Sequence, residues 1–287
     1  MRIKNIENFN LTDYNAYCLN AICAKAWFPE NENELLEIYK QNPEKRFIIL
    51  GDGNNIILSK DYYDKEFIIL NDCFDIIEIN GTALIAETGA TLLQLSETAL
   101  KHGLTGLEIF YDIPSSVGGA VVMNAGTKEG EIKDILIKVR YLDLTDLQIR
   151  EITKEDIGFE YRNSFFQKHT SKIVLKAWFQ LAKGNPKEIK AKMEQTKQTR
   201  WAKQPREYPN CGSVFKRPPG RFVGPMLDEL GMKGFAIGGA KISGKHSGFI
   251  INTGNATGKD ILAAIAEAQK RVREKFGVDL EVEQRII

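Results

Sequence analysis

Residues Leu50-Gly51-Asp52-Gly53-Asn54-Asn55-Ile56 constrain this chain more than any other stretch. They end Phe47-Ile48-Ile49-Leu50, an apolar run with the length and β-branched character of a buried strand. A strand that stops at Gly-x-Gly can open a dinucleotide-binding unit, but that fingerprint needs a third glycine and a helix behind it. Here the third position is Ile56, and Ile56-Ile57-Leu58 reads as another strand, which argues against a Rossmann domain. No Gly-Lys-Ser/Thr follows, so a Walker loop is excluded. Taken alone, the loop is either a β-turn between strands or a nest of bare N–H groups that cradles a phosphate.

A second loop, Pro114-Ser115-Ser116-Val117-Gly118-Gly119-Ala120, bears on that choice. Adjacent glycines let a ligand approach the backbone. Ser116 is placed to cap a short helix running to Met123, which Asn124-Ala125-Gly126 ends; the helix N-terminus would favour an anion. Two such loops suggest one long ligand with its pyrophosphate held between them.

Composition bounds the alternatives. The 287 residues correspond to two domains, or three small ones, at roughly 100–200 residues per domain. A content of 43% hydrophobic and 27% charged residues is that of a soluble globular protein, not of a disordered chain, coiled coil or collagen. The net charge of +1 excludes the global basic field of a general nucleic-acid binder. The charge is uneven, however: residues 1–99 hold sixteen acidic and eight basic side chains, and residues 184–245 hold thirteen basic and five acidic. That local positive field suits phosphates; a solvated charged helix accounts for it equally. Cys18, Cys23, Cys73 and Cys211 make no Cys-x-x-Cys pair and no Cys/His cluster with zinc spacing, so free thiols and no metal are expected. Met1-Arg2-Ile3-Lys4-Asn5 lacks an apolar signal core, and no run is long enough to span a bilayer. The expectation is a cytoplasmic protein with neither membrane nor nucleic-acid partners, acting as a monomer.

Apolar spacing predicts helices over 32–41, 91–102, 186–203 and 257–276, and strands over 47–50, 67–70, 76–79, 83–86, 135–142, 173–181 and 278–286. Gly184-Asn185-Pro186 marks a boundary, with Asn185 as N-cap and Pro186 at the first helical position. Beyond it, glycine and proline become frequent up to Gly258.

The order of short motifs is similar to that of the UDP-N-acetylenolpyruvoylglucosamine reductase family in its compact form. The matching stretches are Gly51–Leu58, Ile113–Gly126, Tyr161-Arg162-Asn163-Ser164, Gly212-Ser213-Val214-Phe215-Lys216, Ile237–Ala240, Lys245–Ile250, Asn252–Ala256 and Leu280-Glu281-Val282-Glu283. The resemblance implies an α+β fold: an FAD-binding part of the vanillyl-alcohol-oxidase type with two α+β subdomains (1–71 and 72–185), then an α+β substrate-binding domain (186–287) whose last strand carries a catalytic glutamate. It implies FAD and NADPH as cofactors and a UDP-sugar as substrate. Gly51, Asp52, Gly53, Asn54, Asn55, Pro114, Ser115, Ser116, Gly118, Gly119 and Asn124 become flavin contacts. Hydride passes from flavin N5 to the enolpyruvyl C3, and an acid protonates C2. Ser213 is the implied proton donor, Arg162 holds the substrate carboxylate, and Glu283 assists its polarisation. Tyr161, Lys216, Arg217 and Arg221 fall on the substrate side. Outside the resemblance, Arg162 reads as a strand-end ion pair, Ser213 as a turn hydroxyl and Glu283 as an exposed residue.

The sequence departs from the family pattern at four places. Asn54 stands where the family usually has serine, Asp112 and Ser115 flank Ile113-Pro114 where it has glycines, and Arg217 follows Lys216 where it has asparagine. The N-terminal segment Asn15–Ala24 matches the family poorly, so no flavin contact carries over there. Another flavin oxidase or dehydrogenase on the same fold is the competing reading, and a non-catalytic nucleotide-sugar binder a third.

Overall fold

Side chains that accept the first free backbone N–H groups set where the long helices begin. In the computed structural model, Asn31 accepts from Asn33 and Glu34 ahead of the helix Glu32–Gln41. Thr91 and Gln94 form a reciprocal capping box on Leu92–Lys101, and Thr257 with Asp260 does the same for Gly258–Phe276. Asn185 Oδ1 accepts from Lys187 N at 3.0 Å, opening Pro186–Lys203. These helices start and stop within a residue or so of the positions their sequence signals predict. The structure describes residues 3–71 and 73–287; Asp72, the first residue of the expected second subdomain, lies outside the described residues.

Contacts divide the chain into two units. Unit 1 comprises residues 1–6, 26–52 and 66–199; unit 2 comprises 7–25, 53–65 and 200–287. In unit 1 a five-stranded antiparallel sheet has the order Gln148–Thr153, Leu136–Asp143, Lys172–Gln180, Ala83–Glu87, Ile77–Asn80. The helices Leu92–Lys101 and Val117–Met123 bury Leu92, Leu95, Val117 and Val121 in one core with Leu84, Val139, Ala177 and Phe179 of that sheet. Ile48–Leu50 runs parallel to Phe67–Ile69, and the apolar face of Glu32–Gln41 joins Ile68, Phe74 and Leu175 in a second core.

In unit 2, three short antiparallel strands, Ala236–Ile237, Ala240–Ile242 and Ile250–Asn252, accompany the helix Gly258–Phe276, whose Ile261, Ala264, Ile265, Ala268 and Val272 are buried. Ile56–Ile57 pairs in parallel with Arg285–Ile286. The strand expected over 278–286 thus shortens to two residues. Its alternating pattern has another cause. Residues 281–283 lie beside 214–216, linked by Lys216 N to Glu281 O at 2.9 Å, Glu283 N to Val214 O at 2.8 Å and a bridge from Phe215 to Val282, without the continuity of a strand. The boundary expected at 185/186 falls inside unit 1, which runs to Thr199. Ile189 and Met193 of the charged helix are buried, and Gly184 lies against Thr105 and Ile189, so the helix begins as part of that unit. No described helix is long and apolar enough to cross a membrane.

Candidate active site

In unit 1 the second glycine loop is set into a socket made by residues 88–90. Val117 N donates to Ala90 O at 2.7 Å and Gly118 N to Thr88 O at 2.9 Å. A Cβ on Gly118 would lie 2.2 Å from Thr88 Oγ1, so only glycine lets the helix seat this deeply. Ser116, 3% exposed, caps Gly119 N at 3.3 Å as expected. A Cβ on Gly51 would come 2.5 Å from Ser116 Oγ, so Gly51, at the start of the first glycine loop, lies against the start of the second. One expectation is corrected. The N-terminus of Val117–Met123 has no donor to spare for an anion, because the N–H groups of Val117, Gly118 and Gly119 are all spent within the unit. Among the described residues, the N–H groups of Ser115 and Ser116 just ahead of the helix take no protein acceptor. Pro114 and Gly119 are exposed, and Asp52 is half-buried.

Asn124 ends the same helix in the left-handed region, at φ 45° and ψ 56°. The residue is fully buried and its amide is taken up by the protein. Nδ2 donates to Glu131 Oε2 and Glu160 O, each at 3.0 Å, and Oδ1 accepts from Lys133 N at 3.2 Å. Its side chain therefore serves the unit's own loops rather than standing open to a cofactor.

The Tyr161–Ser164 motif closes on this helix end. Arg162 is itself left-handed, at φ 53°. Its Nη1 donates to Asn124 O at 3.3 Å and its Nη2 to Gly126 O at 3.0 Å, with Glu131 Oε1 at 4.0 Å. The guanidinium lies 5.1 Å from the centroid of the Tyr161 ring, which is 46% exposed. Ser164, fully buried, donates to Val122 O at 2.7 Å. Two motifs far apart in sequence are thus stitched into one structure, and Arg162 is oriented by carbonyls and a carboxylate rather than left as a surface ion pair.

In unit 2, Ser213 and Glu283 come together through Val214. Glu283 N donates to Val214 O at 2.8 Å, while Ser213 pairs with Phe249 on the other side. Ser213 is exposed, and its hydroxyl takes no protein partner among the described residues. Gln284, 3% exposed, accepts from Tyr17 Oη at 3.0 Å and donates to Cys211 O at 3.1 Å, which fixes the chain just before Ser213. Burial pushes the Cys211 thiol up to about 12, so it stays an unreactive thiol against the Ile56 carbonyl. Gly53, at φ 64°, approaches Tyr14 O, and Asn55 donates to Glu283 O at 3.3 Å. Asn54 is half-buried beside it.

The expected substrate-side cations are placed variously. Lys216 pairs with the exposed Glu281 at 2.6 Å. Arg217 stacks on Phe222 at 4.9 Å, and Arg221 lies 5.7 Å from Phe276. Both arginines are exposed.

Residues 204–287 match the C-terminal domain of UDP-N-acetylenolpyruvoylglucosamine reductase, and residues 24–152 match an FAD binding domain. A UDP-N-acetylenolpyruvoylglucosamine reductase from Caldanaerobacter subterraneus is 45% identical over 90% of this chain and 85% of its own. One from Latilactobacillus sakei is 46% identical over 88% of this chain and 82% of its own. This chain belongs to the UDP-N-acetylenolpyruvoylglucosamine reductase family. A crystal structure of the family's enzyme from Thermus caldophilus superposes with a TM-score of 0.84 at 31% identity, covering 100% of this chain and 99% of that one. The fold of this reductase-family chain is therefore α+β, with an FAD-binding part of the vanillyl-alcohol-oxidase type, and the chain is an FAD-containing oxidoreductase. In unit 1, the reserve N–H groups of Ser115 and Ser116 suit the phosphates of a flavin nucleotide.

Sequence reasoning passed over three residues that organise these sites: Glu131, Ser164 and Gln284. Ser164 stood in a quoted motif, and its place three residues before Gln167 is a helix-cap signal. Gln284 and Glu131 carry no local signal, because their partners lie on distant segments.

Proposed function

We propose that this chain reduces UDP-N-acetylglucosamine enolpyruvate to UDP-N-acetylmuramate with NADPH, in the synthesis of peptidoglycan precursors, as a cytoplasmic monomer. FAD, when bound, supplies hydride transfer from NADPH to the enolpyruvyl C3. Gly51, Asp52, Gly53, Asn54, Asn55, Ser115 and Ser116 are the residues that would hold it. Hydride arrival at C3 drives negative charge through C2 toward the substrate carboxylate, so the protein must stabilise that charge and deliver one proton to C2. Arg162 meets the first need: its planar guanidinium can meet a carboxylate with two parallel N–H groups, and its orientation is fixed by Asn124 O and Gly126 O. Ser213 meets the second by giving its hydroxyl proton to C2. A serine is a weak acid, so the step depends on neighbours that stabilise its alkoxide or on a proton relayed to it; Glu283 on the adjoining segment is assigned to polarising the substrate carboxylate or to proton delivery. Tyr161, Lys216, Arg217 and Arg221 are assigned to the nucleotide part of the substrate.

The observation that carries this reading is Ser213: exposed, uncommitted, and backed on one side by the segment bearing Glu283. Stopped-flow absorbance separates the two half-reactions. In Ser213→Ala, NADPH bleaches the flavin at close to the wild-type rate. Recovery of colour with the enolpyruvyl nucleotide slows by about 10²–10⁴-fold, the usual worth of a positioned proton donor. Equal loss in both half-reactions would make Ser213 a structural residue and remove it from this role.

A further inference from the structure

His246 stands in the turn that braces Ser213, and the reaction as assigned leaves it without a part. Its Nδ1 accepts the N–H of Gly248 at 3.0 Å. A ring nitrogen that receives a backbone N–H carries no proton of its own, so this contact selects the neutral imidazole with its proton on Nε2. The Gly248 carbonyl in turn accepts from Val214 N at 3.0 Å, the residue after Ser213. The ring meets Phe249 edge-on at 4.9 Å, and Phe249 is the residue bridged to Ser213. A Cβ on Gly248 would lie 3.0 Å from Cε1 and 3.1 Å from Nδ1, so the ring rests directly on that residue. Other bonds close the turn: His246 N to Ser243 Oγ at 3.3 Å, Phe249 N to His246 O at 3.0 Å and Ser243 N to Phe249 O at 2.9 Å. Among the described residues, the imidazole is thus the one side chain that hydrogen-bonds the backbone of Gly248, whose carbonyl holds Val214.

We propose that His246 is a positioning residue for Ser213: its neutral ring holds the Gly248 N–H, the Gly248 carbonyl on the far side of that Cα holds Val214 N, and Val214 fixes the backbone from which the Ser213 hydroxyl is presented to C2. The inference rests on the assignment of Ser213 as proton donor. Protonation of Nδ1 would set an N–H against the Gly248 N–H and release the support. Burial holds the imidazole below its ordinary 6.5. The ring's own backbone carbonyl pulls the other way, as does Asp228 near the end of Val223–Glu229, which is itself bonded by Ser247; Lys233 in the following turn adds to the lowering. Lys245, in the same turn as His246, is turned aside to Trp201 O and Glu207. The supported form therefore persists below pH 6.5 and is lost on further acidification.

Three measurements on the flavin-bound enzyme test this. The chain has 3 histidines, so nitrogen-15 NMR resolves them; one must show an unprotonated Nδ1 at neutral pH and titrate below 6.5. His246→Leu removes the acceptor, and His246→Asn returns one near the same place. In His246→Leu, recovery of flavin colour by the enolpyruvyl nucleotide slows on the order of 100-fold, the scale of a misplaced reacting group. Bleaching by NADPH and the melting temperature hold. His246→Asn regains most of the rate and loses the acid inflection seen in the wild type. The inference is overturned if His246→Asn is as slow as His246→Leu, if His246→Leu keeps the wild-type rate, or if no histidine shows the Nδ1-acceptor signature. Ser213→Ala, run alongside, separates the two claims. If it keeps the recovery rate, the Ser213 assignment falls and the inference with it; if it collapses while His246→Leu does not, the inference alone falls.

Discussion

At the scale of single residues, the motifs announced which side chains matter but not what holds them. Gly118 was legible as a small residue in a ligand loop; that its neighbour is Thr88, an ordinary strand-end residue, was not. The structure makes the demand specific. A methyl group on Gly118 would meet Thr88 Oγ1 at 2.2 Å and Thr88 O at 3.3 Å, while the Gly118 N–H bond to that same carbonyl at 2.9 Å prevents the helix from backing away. Gly118→Ala is therefore expected to cost about 1–3 kcal/mol, the usual range for overpacking, and to weaken FAD retention. Differential scanning fluorimetry of the flavin-free protein and a flavin titration measure both effects. Thr88→Ala in the same chain removes the closest clash and should restore part of the loss, since the two sites touch and their effects do not add. A stability change that ignores the Thr88 substitution would show that the socket is not what requires glycine.

Among elements, the long helices were legible because caps and apolar spacing are local properties of the sequence. The terminal strand was misread because alternation also arises where a segment merely lies beside another. Partner strands were not legible at all. Asp143 illustrates what this hides. It ends the strand Leu136–Asp143 directly opposite Lys172, the first residue of Lys172–Gln180. The two form an ion pair in which both side chains are largely covered, and Thr145 adds two hydrogen bonds to the carboxylate. Burial alone would raise the Asp143 pKa, but the bonds from Lys172 and Thr145 outweigh it and hold the carboxyl well below its ordinary 3.8. A carboxylate depressed in the folded state stabilises the fold above its unfolded value, and that contribution drains away as the pH falls below 3.8. Asp143→Asn should therefore melt below the wild type at pH 7, by roughly 2–4 °C for each kcal/mol lost. The gap should close as the pH drops through the carboxylate range. A gap that stays constant from pH 7 to pH 3 would assign the effect to packing rather than charge.

For the molecule as a whole, the sequence suggested contiguous domains, and the units are not contiguous. Hydrophobic patterns report a residue's near neighbours in the chain, so nothing in them reveals that residues 7–25 and 53–65 belong with residues 200–287. The consequence concerns what can fold alone. Residues 204–287, matched by the family's C-terminal domain, look like a separable module. Within unit 2, however, Arg285–Ile286 pairs with Ile56–Ile57, and Ser59 and Tyr63 both donate to the Ile287 carbonyl. Gln284 needs Tyr17 Oη, Asn252 Nδ2 donates to Tyr17 O at 2.8 Å, and Cys211 Sγ donates to Ile56 O at 3.2 Å. A fragment of residues 204–287 loses all of these at once. It leaves one buried polar atom on each of two side chains, Gln284 Oε1 and Asn252 Nδ2, without its partner, at about 1–3 kcal/mol each. It also exposes apolar surface that the fully buried Tyr17 and Ile57 now cover. A small domain has only about 5–15 kcal/mol in hand, so the fragment is expected to show no cooperative thermal transition by circular dichroism and poor amide dispersion by NMR. A version that adds residues 7–25 and 53–65 through short linkers should recover both. Cooperative melting of the fragment by itself would mean that the early segments decorate unit 2 without being required for it.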